Sequence, residues 1–532
     1  MKDAACDEDS IESLRLEQAG TIEFLASALA RRDGGGPVSR AETHISVILL
    51  CATLAWKLKK AVKLSYLDFR SADDRLALCE RELALNRRTA PSLYRTVRRV
   101  VRDADGNLAL DAHGYQEGRQ TLVDAVLEMQ RFDEADVLDR MAVRGELTPE
   151  IVTQLARVVA DFHSRAAPAR ELTRSGAQRV GDILAINEKG LSMARELLDR
   201  ESVQRLVDET RSLWQRHRGL LDDRQRSGRV RLCHGDLHLR NIVAIEGAPT
   251  LFDCLEFDTG MATTDILYDL AFVLMDLWHR ELHALANLLL NRYLDEIDET
   301  AGLPLLGLFM AMRATVRAHV TATQASDTAG AGDPATRRNA VLAESRAYLA
   351  LARGLLENRP ARLIAIGGLS GSGKSTAAAA IASAIGALPG ARILSSDRVR
   401  KHLHGVAPQT RLPEQAYRPA VSARVYTLLQ EQAAAALATG HSVIVDAVFD
   451  RRQERERIEA VAADAGVAFH GIWLEAPAAV LLERVDKRRA DPSDADGAVV
   501  RRQLERNVGP LDWRRLDASS ERARTMLRRL LE

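Results

Sequence analysis

What this chain lacks narrows its class before any motif is read. It has no excess of charge. Its 74 Lys and Arg balance 74 Asp and Glu, a formal net charge of zero. That argues against a strongly cationic nucleic-acid binder, so nucleic acid is not an expected partner. Its five cysteines, Cys6, Cys51, Cys79, Cys233 and Cys254, form no C-x-x-C pair. Such scatter fits a reducing cytosol better than a disulfide framework or a zinc site. No uninterrupted apolar stretch is long enough to span a bilayer. The acidic, polar first residues do not follow the basic-then-apolar order of a secretory leader. A soluble cytoplasmic protein without a membrane partner is expected. Length is not scarce: 532 residues exceed one ordinary core, so two or more domains are expected.

The most informative stretch runs from Leu232 to Asp258. His234-Gly235-Asp236 is followed by Asn241, which keeps the Asp-x-x-x-x-Asn spacing of a protein-kinase catalytic loop. The apolar stretch Ile242–Ile245, the turn Glu246–Pro249 and the run Thr250–Phe252 predict a hairpin that returns Asp253 to the same place. Phosphoryl transfer has a loose transition state, so the protein mostly positions groups and neutralises charge. Asp236 is the candidate to orient an acceptor hydroxyl and take its proton. Asn241 and Asp253 are hard oxygen ligands suited to Mg2+ on nucleotide phosphates.

His-Gly-Asp-Leu-His-x-x-Asn, then an apolar pair and Asp, resembles the aminoglycoside phosphotransferase-like kinases, small-molecule relatives of protein kinases. The resemblance implies a bilobal domain over residues 1–355, with a small lobe to about 130 and a helical large lobe from about 131. It places His234 and Asp236 among the catalytic residues. A strand lysine that holds the ATP phosphates is implied at Lys57, with Lys59 as the other candidate on the same face. The Ala55-Trp56-Lys57 order favours the first. The helix predicted over Leu76–Arg88 takes the place of the one whose glutamate pairs with that lysine, at Glu82 with Glu80 as fallback. The backbone around Glu128–Arg131 would meet adenine. Gly34-Gly35-Gly36 lacks the G-x-G-x-x-G spacing of a phosphate-covering loop and reads as a connection. His163, Asp265 and Asp269 read as structural groups, and Glu256 as an outer carboxylate near Asp253.

A second nucleotide motif lies far downstream. The strand-like Arg362–Ile366 leads into Gly368-Leu369-Ser370-Gly371-Ser372-Gly373-Lys374-Ser375, a full G-x-x-x-x-G-K-[ST] match, and an Ala-rich helix predicted over Thr376–Ala387 follows. Glycines there let backbone N–H groups close around phosphate oxygens at a helix N-terminus. Gly368, Ser370, Gly371, Ser372, Gly373, Lys374, Ser375 and Thr376 are the candidate nucleotide contacts. Lys374 would reach the beta and gamma phosphates, and Ser375 the Mg2+. Strands over Ala391–Ser395, Val443–Val445 and Ala468–Leu474 alternate with helices, as in a parallel sheet with ligands at the strand ends. Asp446 ends one of them as a Walker-B-type magnesium group. Asp397 stands where P-loop small-molecule kinases keep an acceptor-binding carboxylate. The Arg-rich stretch Arg484–Asp494 looks like their lid, with Arg488 and Arg489 as candidates to stabilise the transferred phosphoryl group. Arg501–Arg529 reads as a basic helical segment. This half, 361–532, resembles gluconate kinases, chloramphenicol phosphotransferases, zeta toxins and the kinase part of polynucleotide kinases.

The expected fold class is therefore an α/β and α+β two-domain chain: a protein-kinase-like bilobal domain followed by a P-loop parallel-sheet domain. The whole resembles bacterial fusions of these two kinase types. The leading expectation is a tandem phosphotransferase using ATP and Mg2+ on a hydroxyl of a sugar, amino sugar or antibiotic-like molecule. Two alternatives stay open. One is a single catalytic domain regulated by a nucleotide-sensing P-loop ATPase. The other is a P-loop half acting as a polynucleotide or nucleotide-sugar kinase.

Overall fold

The computed structural model describes residues 18–43, 45–64, 67–111, 120–169, 173–324, 333–487 and 492–519. The chain is mixed α/β and packs as two compact units. The first comprises Met1–Arg170 with Val230–Asp269, and the second Glu171–Arg229 with Leu270–Glu532.

The first unit is built on a six-stranded antiparallel sheet. Its strand order is Ser39–Glu42, Ser46–Leu50, Leu54–Lys59, Thr121–Gln130, Tyr94–Arg102 and Leu108–Asp111. Alternation along Leu54–Lys59 splits its side chains between two faces. Trp56 and Leu58 enter a core with Leu25, Leu29, Val47 and Val126, while Lys57 and Lys59 share the other face. The helix that follows is Ala72–Asn86, starting four residues before the predicted Leu76. Ser71 explains the difference, because its hydroxyl accepts the Asp73 and Asp74 N–H groups and so caps the first turn. Gly34 and Gly35 sit at φ near +83° where the helix over 18–32 stops, so they end a helix rather than cover a ligand. Thr148 caps the helix Pro149–Arg165, with proline in its first turn. Three short antiparallel pairs complete the unit: Lys63–Leu64 with Leu67–Asp68, the hairpin Ile242–Ile245 with Ala248–Leu251, and Val230–Leu232 with Thr263–Asp265.

The second unit contains the helices Gly176–Met193, Arg200–Arg216, Arg218–Arg226, His283–Glu296, Leu306–Gln324 and Pro334–Gly354. It also contains a five-stranded sheet, all of whose pairings are parallel. The strand order is Arg392–Ser395, Val443–Asp446, Arg362–Gly367, Ala468–Glu475 and Arg514–Asp517. Two inner strands, Val443–Asp446 and Arg362–Gly367, are near-continuously buried, as expected for strands covered on both faces, whereas Ala468–Glu475 is buried only over Ile472–Leu474. One side packs Val445, Leu429 and Trp513, the other Ile364, Ile381 and Ile472. Two sequence expectations are corrected here. The helix after the glycine loop is Lys374–Ala382, shorter than predicted, and the chain turns through Gly386 at φ +73°. The basic C-terminal segment is not continuous helix: after Gly497–Leu504 it forms the edge strand Arg514–Asp517, whose charged side chains hide any apolar alternation. Among the described residues no helix is long and apolar enough to cross a membrane.

Candidate active sites

In the first unit the catalytic-type loop is held by a buried carboxylate. Asp269 accepts the Gly235 N–H at 2.8 Å and the His234 N–H at 3.1 Å. His163 Nε2 lies 3.2 Å from the same carboxylate, and both side chains are fully buried. Asp265 accepts the Leu267 N–H at 2.8 Å, capping the helix Ile266–His279. Gly235 has φ +83°, and a Cβ there would stand 2.8 Å from Leu255 Cβ, so only glycine fits this bend. His234 Nε2 approaches the Phe252 carbonyl at 2.9 Å, which ties the loop to the returning hairpin.

The loop delivers two polar groups together. Asn241 Nδ2 donates to the Asp236 carboxylate and to its main-chain oxygen, both at 2.9 Å. With its NH2 turned to Asp236, Asn241 presents its amide oxygen on the opposite side. His238 Nε2 lies 3.3 Å from Asp236 Oδ2.

Asp253 follows the hairpin in a left-handed conformation, φ +60°. A non-glycine residue there is uncommon and is held from outside. Tyr94 Oη accepts its N–H at 3.1 Å, and Asn86 Oδ1 accepts the next N–H, that of Cys254, at 2.8 Å. Asp253 Oδ1 lies 2.7 Å from Lys57 Nζ, which is also 2.8 Å from Glu82 Oε1. The other Glu82 oxygen lies 2.6 Å from Lys59 Nζ, itself 2.6 Å from Glu256. One glutamate thus joins both candidate lysines. Lys57 continues to the partly exposed Asp253, whereas Lys59 is fully buried against Glu256. Glu80, the fallback, pairs instead with Arg99 at the surface.

The charges settle each other. Burial opposes the charged form of Lys57, but Asp253 and Glu82 outweigh it and hold the ammonium well above its usual range. Burial likewise pushes against an ionised Glu82, and the two lysines overcome it, bringing its carboxyl down to about 2. Glu256 shifts the other way: burial and then the Glu82 charge raise it, more than Lys59 lowers it.

The backbone around Glu128–Arg131, which the resemblance implies would meet adenine, lies at the end of the strand Thr121–Gln130. Glu128 and Met129 are paired on both sides of that strand, and the Gln130 and Arg131 N–H groups go to the Leu93 and Thr53 carbonyls. The Glu128 side chain is taken by Arg98, Trp56 and Arg32.

In the second unit the glycine loop lies between Arg362–Gly367 and Lys374–Ala382. Gly368, Gly371 and Gly373 all have positive φ. A Cβ on Gly371 would approach the Leu481 carbonyl to 2.5 Å, so the loop's shape depends on that missing atom. Ser375 Oγ donates to Asp446 Oδ2 at 2.6 Å, placing the last loop residue beside the end of the neighbouring strand. Lys374 Nζ donates to the Leu369 carbonyl at 3.1 Å, folding back over the loop. Ser372 is buried and Thr376 exposed. Asp397 lies in the first turn of the helix Ser396–Leu403, directly after the strand Arg392–Ser395. Arg488 and Arg489 lie outside the described residues. The lid-like stretch is tied at both sides of them: Arg484 donates to the Ala518 carbonyl, and Asp494 pairs with Lys401 and Tyr417.

Three groups at these sites carried no signal in the sequence. Tyr94 and Asn86 orient the Asp253 turn from far upstream. Gln503 Oε1 accepts the Ser370 N–H at 2.8 Å, fixing the glycine loop from the helix Gly497–Leu504. Gln503 also lines a cavity of about 540 Å³ beside the loop, with Leu369, Leu474, Leu481, Arg506 and Asp517.

Comparison with known proteins follows this division of sites. Residues 66–304 match the phosphotransferase enzyme family, and residues 363–510 match an AAA domain. An uncharacterized protein of Mycobacterium tuberculosis is 29% identical over 499 residues, covering 91% of this chain and 93% of its own length. A choline/ethanolamine kinase family protein from Mesorhizobium loti is 13% identical with a TM-score of 0.37, covering 63% of this chain and 99% of its own. A gluconokinase from Sinorhizobium meliloti is 21% identical with a TM-score of 0.23, covering 32% of this chain and 90% of its own.

Proposed function

We propose that this chain, whose residues 66–304 match the phosphotransferase enzyme family and whose residues 363–510 match an AAA domain, is a tandem ATP-dependent small-molecule kinase. In this reading residues 1–355 form one kinase and 361–532 the other, each using ATP and Mg2+. The acceptor is a hydroxyl of a sugar, an amino sugar or an antibiotic-like molecule, and the site of action is the cytoplasm.

The observation that carries the proposal is the placement of Lys57. It bridges Glu82, 25 positions away, and Asp253, 196 positions away. A lysine fixed by a helix glutamate and directed at a carboxylate suits the ATP phosphates. Glu82 keeps it charged and aimed.

Asp236 is the group to receive the acceptor's proton as its oxygen attacks. Asn241 secures the Asp236 carboxylate in position, so the acceptor meets a fixed base. The Asn241 amide oxygen and the Asp253 carboxylate are hard oxygen donors, which fits Mg2+. When bound, that ion neutralises charge on the transferring phosphates. In the second domain the glycine loop offers its N–H groups to phosphate, Lys374 adds a cation, and Ser375 with Asp446 supplies the Mg2+ oxygen ligands. The cavity beside Gln503 takes the nucleotide base. Asp397 receives the acceptor hydroxyl, with Arg488 and Arg489 assigned to the moving phosphoryl group.

The test is transfer of label from γ-labelled ATP to a mixed library of sugars, aminoglycosides and nucleosides. Wild type runs beside Asp236→Ala and Lys374→Ala. Products lost separately in the two variants support two kinases. If only one variant abolishes transfer while the other shifts the response to ATP, one half is a regulatory nucleotide module. ATP hydrolysis with no labelled product in any lane overturns the small-molecule kinase reading for those compounds.

A further inference from the structure

The helix His283–Glu296 presents an unusual polar row. Asn287, Asn291 and Asp295 recur every fourth residue, so they share one face of an otherwise Leu-rich helix. All three meet the strand Arg392–Ser395 and its flanks. That strand stands at one end of the five-stranded order, so among the described residues one side of it has no strand neighbour.

Asn291 occupies that open side as a strand would. Its Oδ1 accepts the Ile393 N–H at 2.7 Å, and its Nδ2 donates to the Ala391 carbonyl at 3.1 Å. These are the two main-chain groups, two residues apart, that an adjoining strand's peptide groups would satisfy. Asn287 Nδ2 reaches the Ala391 and Pro389 carbonyls at 3.1 and 3.2 Å. Both asparagines are buried. One turn on, Asp295 gathers three guanidinium groups: Arg392 at 2.8 Å, Arg292 at 3.1 Å and Arg398 at 3.3 Å.

The grip falls where the P-loop chemistry needs rigid placement. Arg392–Ser395 is in register with Val443–Asp446, and Ser395 is the partner of Asp446, whose carboxylate holds Ser375. Arg398 is one residue beyond Asp397, at the start of the helix Ser396–Leu403. The gripping residues lie within the 66–304 phosphotransferase-family match, and the gripped ones within the 363–510 match.

We propose that Asn291 and Asp295 are positioning residues for the P-loop site, closing the open edge of its sheet and fixing the strand and helix that carry Asp397 and abut Asp446. The P-loop half is then not a free-standing module appended after residue 360; its geometry depends on a helix of the other half. This rests on the P-loop half being a nucleotide site.

The test uses the full chain carrying Asp236→Ala, so that remaining MgATP hydrolysis reports the P-loop site. Asn291→Leu, Asp295→Asn and Asp295→Glu are added singly. Hydrogen–deuterium exchange is followed over 391–403, with the central strand 362–367 as reference. Asp295→Asn should speed exchange over 396–403 and lower kcat for MgATP hydrolysis about tenfold while KM for ATP stays within about twofold, since misplacing a group costs rate more than binding. Asp295→Glu should restore most of the loss, and Asn291→Leu should speed exchange over 391–394. Unchanged exchange over 391–403, or faster exchange with unchanged kcat, overturns the proposal. If Asn291→Leu fails to fold, the isosteric Asp295→Asn still decides. Lys374→Ala in the same background tests the premise separately: hydrolysis equal to its parent shows that the P-loop is not the nucleotide site, whatever the exchange data give.

Discussion

Gly235 and Asp269 are 34 positions apart in the chain and 2.8 Å apart in space, the glycine N–H donating to the carboxylate. The aspartate lies in a helix and the glycine in the loop that presents Asp236, so loop geometry is set from a rigid element. Asp269→Ala should cost about 3 kcal/mol of unfolding free energy, because it leaves two buried N–H groups and His163 without their acceptor. Urea denaturation of the full chain measures it. A loss below about 0.5 kcal/mol, the range of ordinary surface changes, contradicts the anchoring role.

Acid should loosen the first unit through Glu82. Its folded carboxyl is depressed to about 2, from an ordinary value of 4.5. A depressed carboxyl contributes stability that is complete above the unfolded pKa and lost as pH falls through the folded one. Unfolding free energy should therefore decline from about pH 4.5 toward pH 2. Glu82→Gln should flatten that decline. Denaturant midpoints at several pH values, wild type against variant, decide it; parallel curves would rule out Glu82 as the source.

The Gln503 contact makes a prediction about nucleotide binding. Gln503→Leu leaves the Ser370 N–H without its partner and frees the glycine loop. With Lys57→Ala in the background, which removes the proposed phosphate-binding lysine of the first site, affinity for ATP should weaken by about 1–3 kcal/mol, roughly tenfold or more. Equilibrium binding of labelled ATP reads this. Unchanged affinity would mean that the loop keeps its shape unaided.

Gly371→Ala should be more severe. The position combines φ +88° with a carbonyl 2.5 Å from the added methyl. The loop must shift, and ATP binding at the P-loop should fall by more than about tenfold, beyond what backbone strain of about 1–3 kcal/mol alone would give at its lower end. Gly440→Ala serves as control: its φ is +79°, but nothing stands within 4 Å of the new methyl. Equal ATP affinity in the two variants would remove crowding as the cause.

Local spacing carried the legible part of this chain. The Asp236 to Asn241 interval, the hairpin returning Asp253, and the glycine loop between strand and helix are contiguous patterns, and the hairpin and strand form where the spacing predicts, while the helix Lys374–Ala382 begins and ends earlier than expected. The division of two strand lysines between one glutamate and two other carboxylates was not legible. Strand periodicity puts Lys57 and Lys59 on one face but does not say which carboxylate each meets. Asn287, Asn291 and Asp295 were visible as polar residues in a Leu-rich helix; their partners lie about a hundred positions on, and no periodicity reaches that far. The strand Arg514–Asp517 was missed for a simpler reason. Three of its four residues are charged, and only Leu516 is buried.

Edges of sheets invite unwanted pairing between molecules, and both edges of the five-stranded sheet carry a deterrent. On one side Arg514–Asp517 is short and studded with charge, a poor template for another chain. On the other, the Asn291 carboxamide already fills the hydrogen-bonding positions that a stray strand would seek. A side chain that steadies one molecule thus also protects it from its own copies, and a chain with leucine at 291 would offer a sticky, unpaired margin to its neighbours at high concentration.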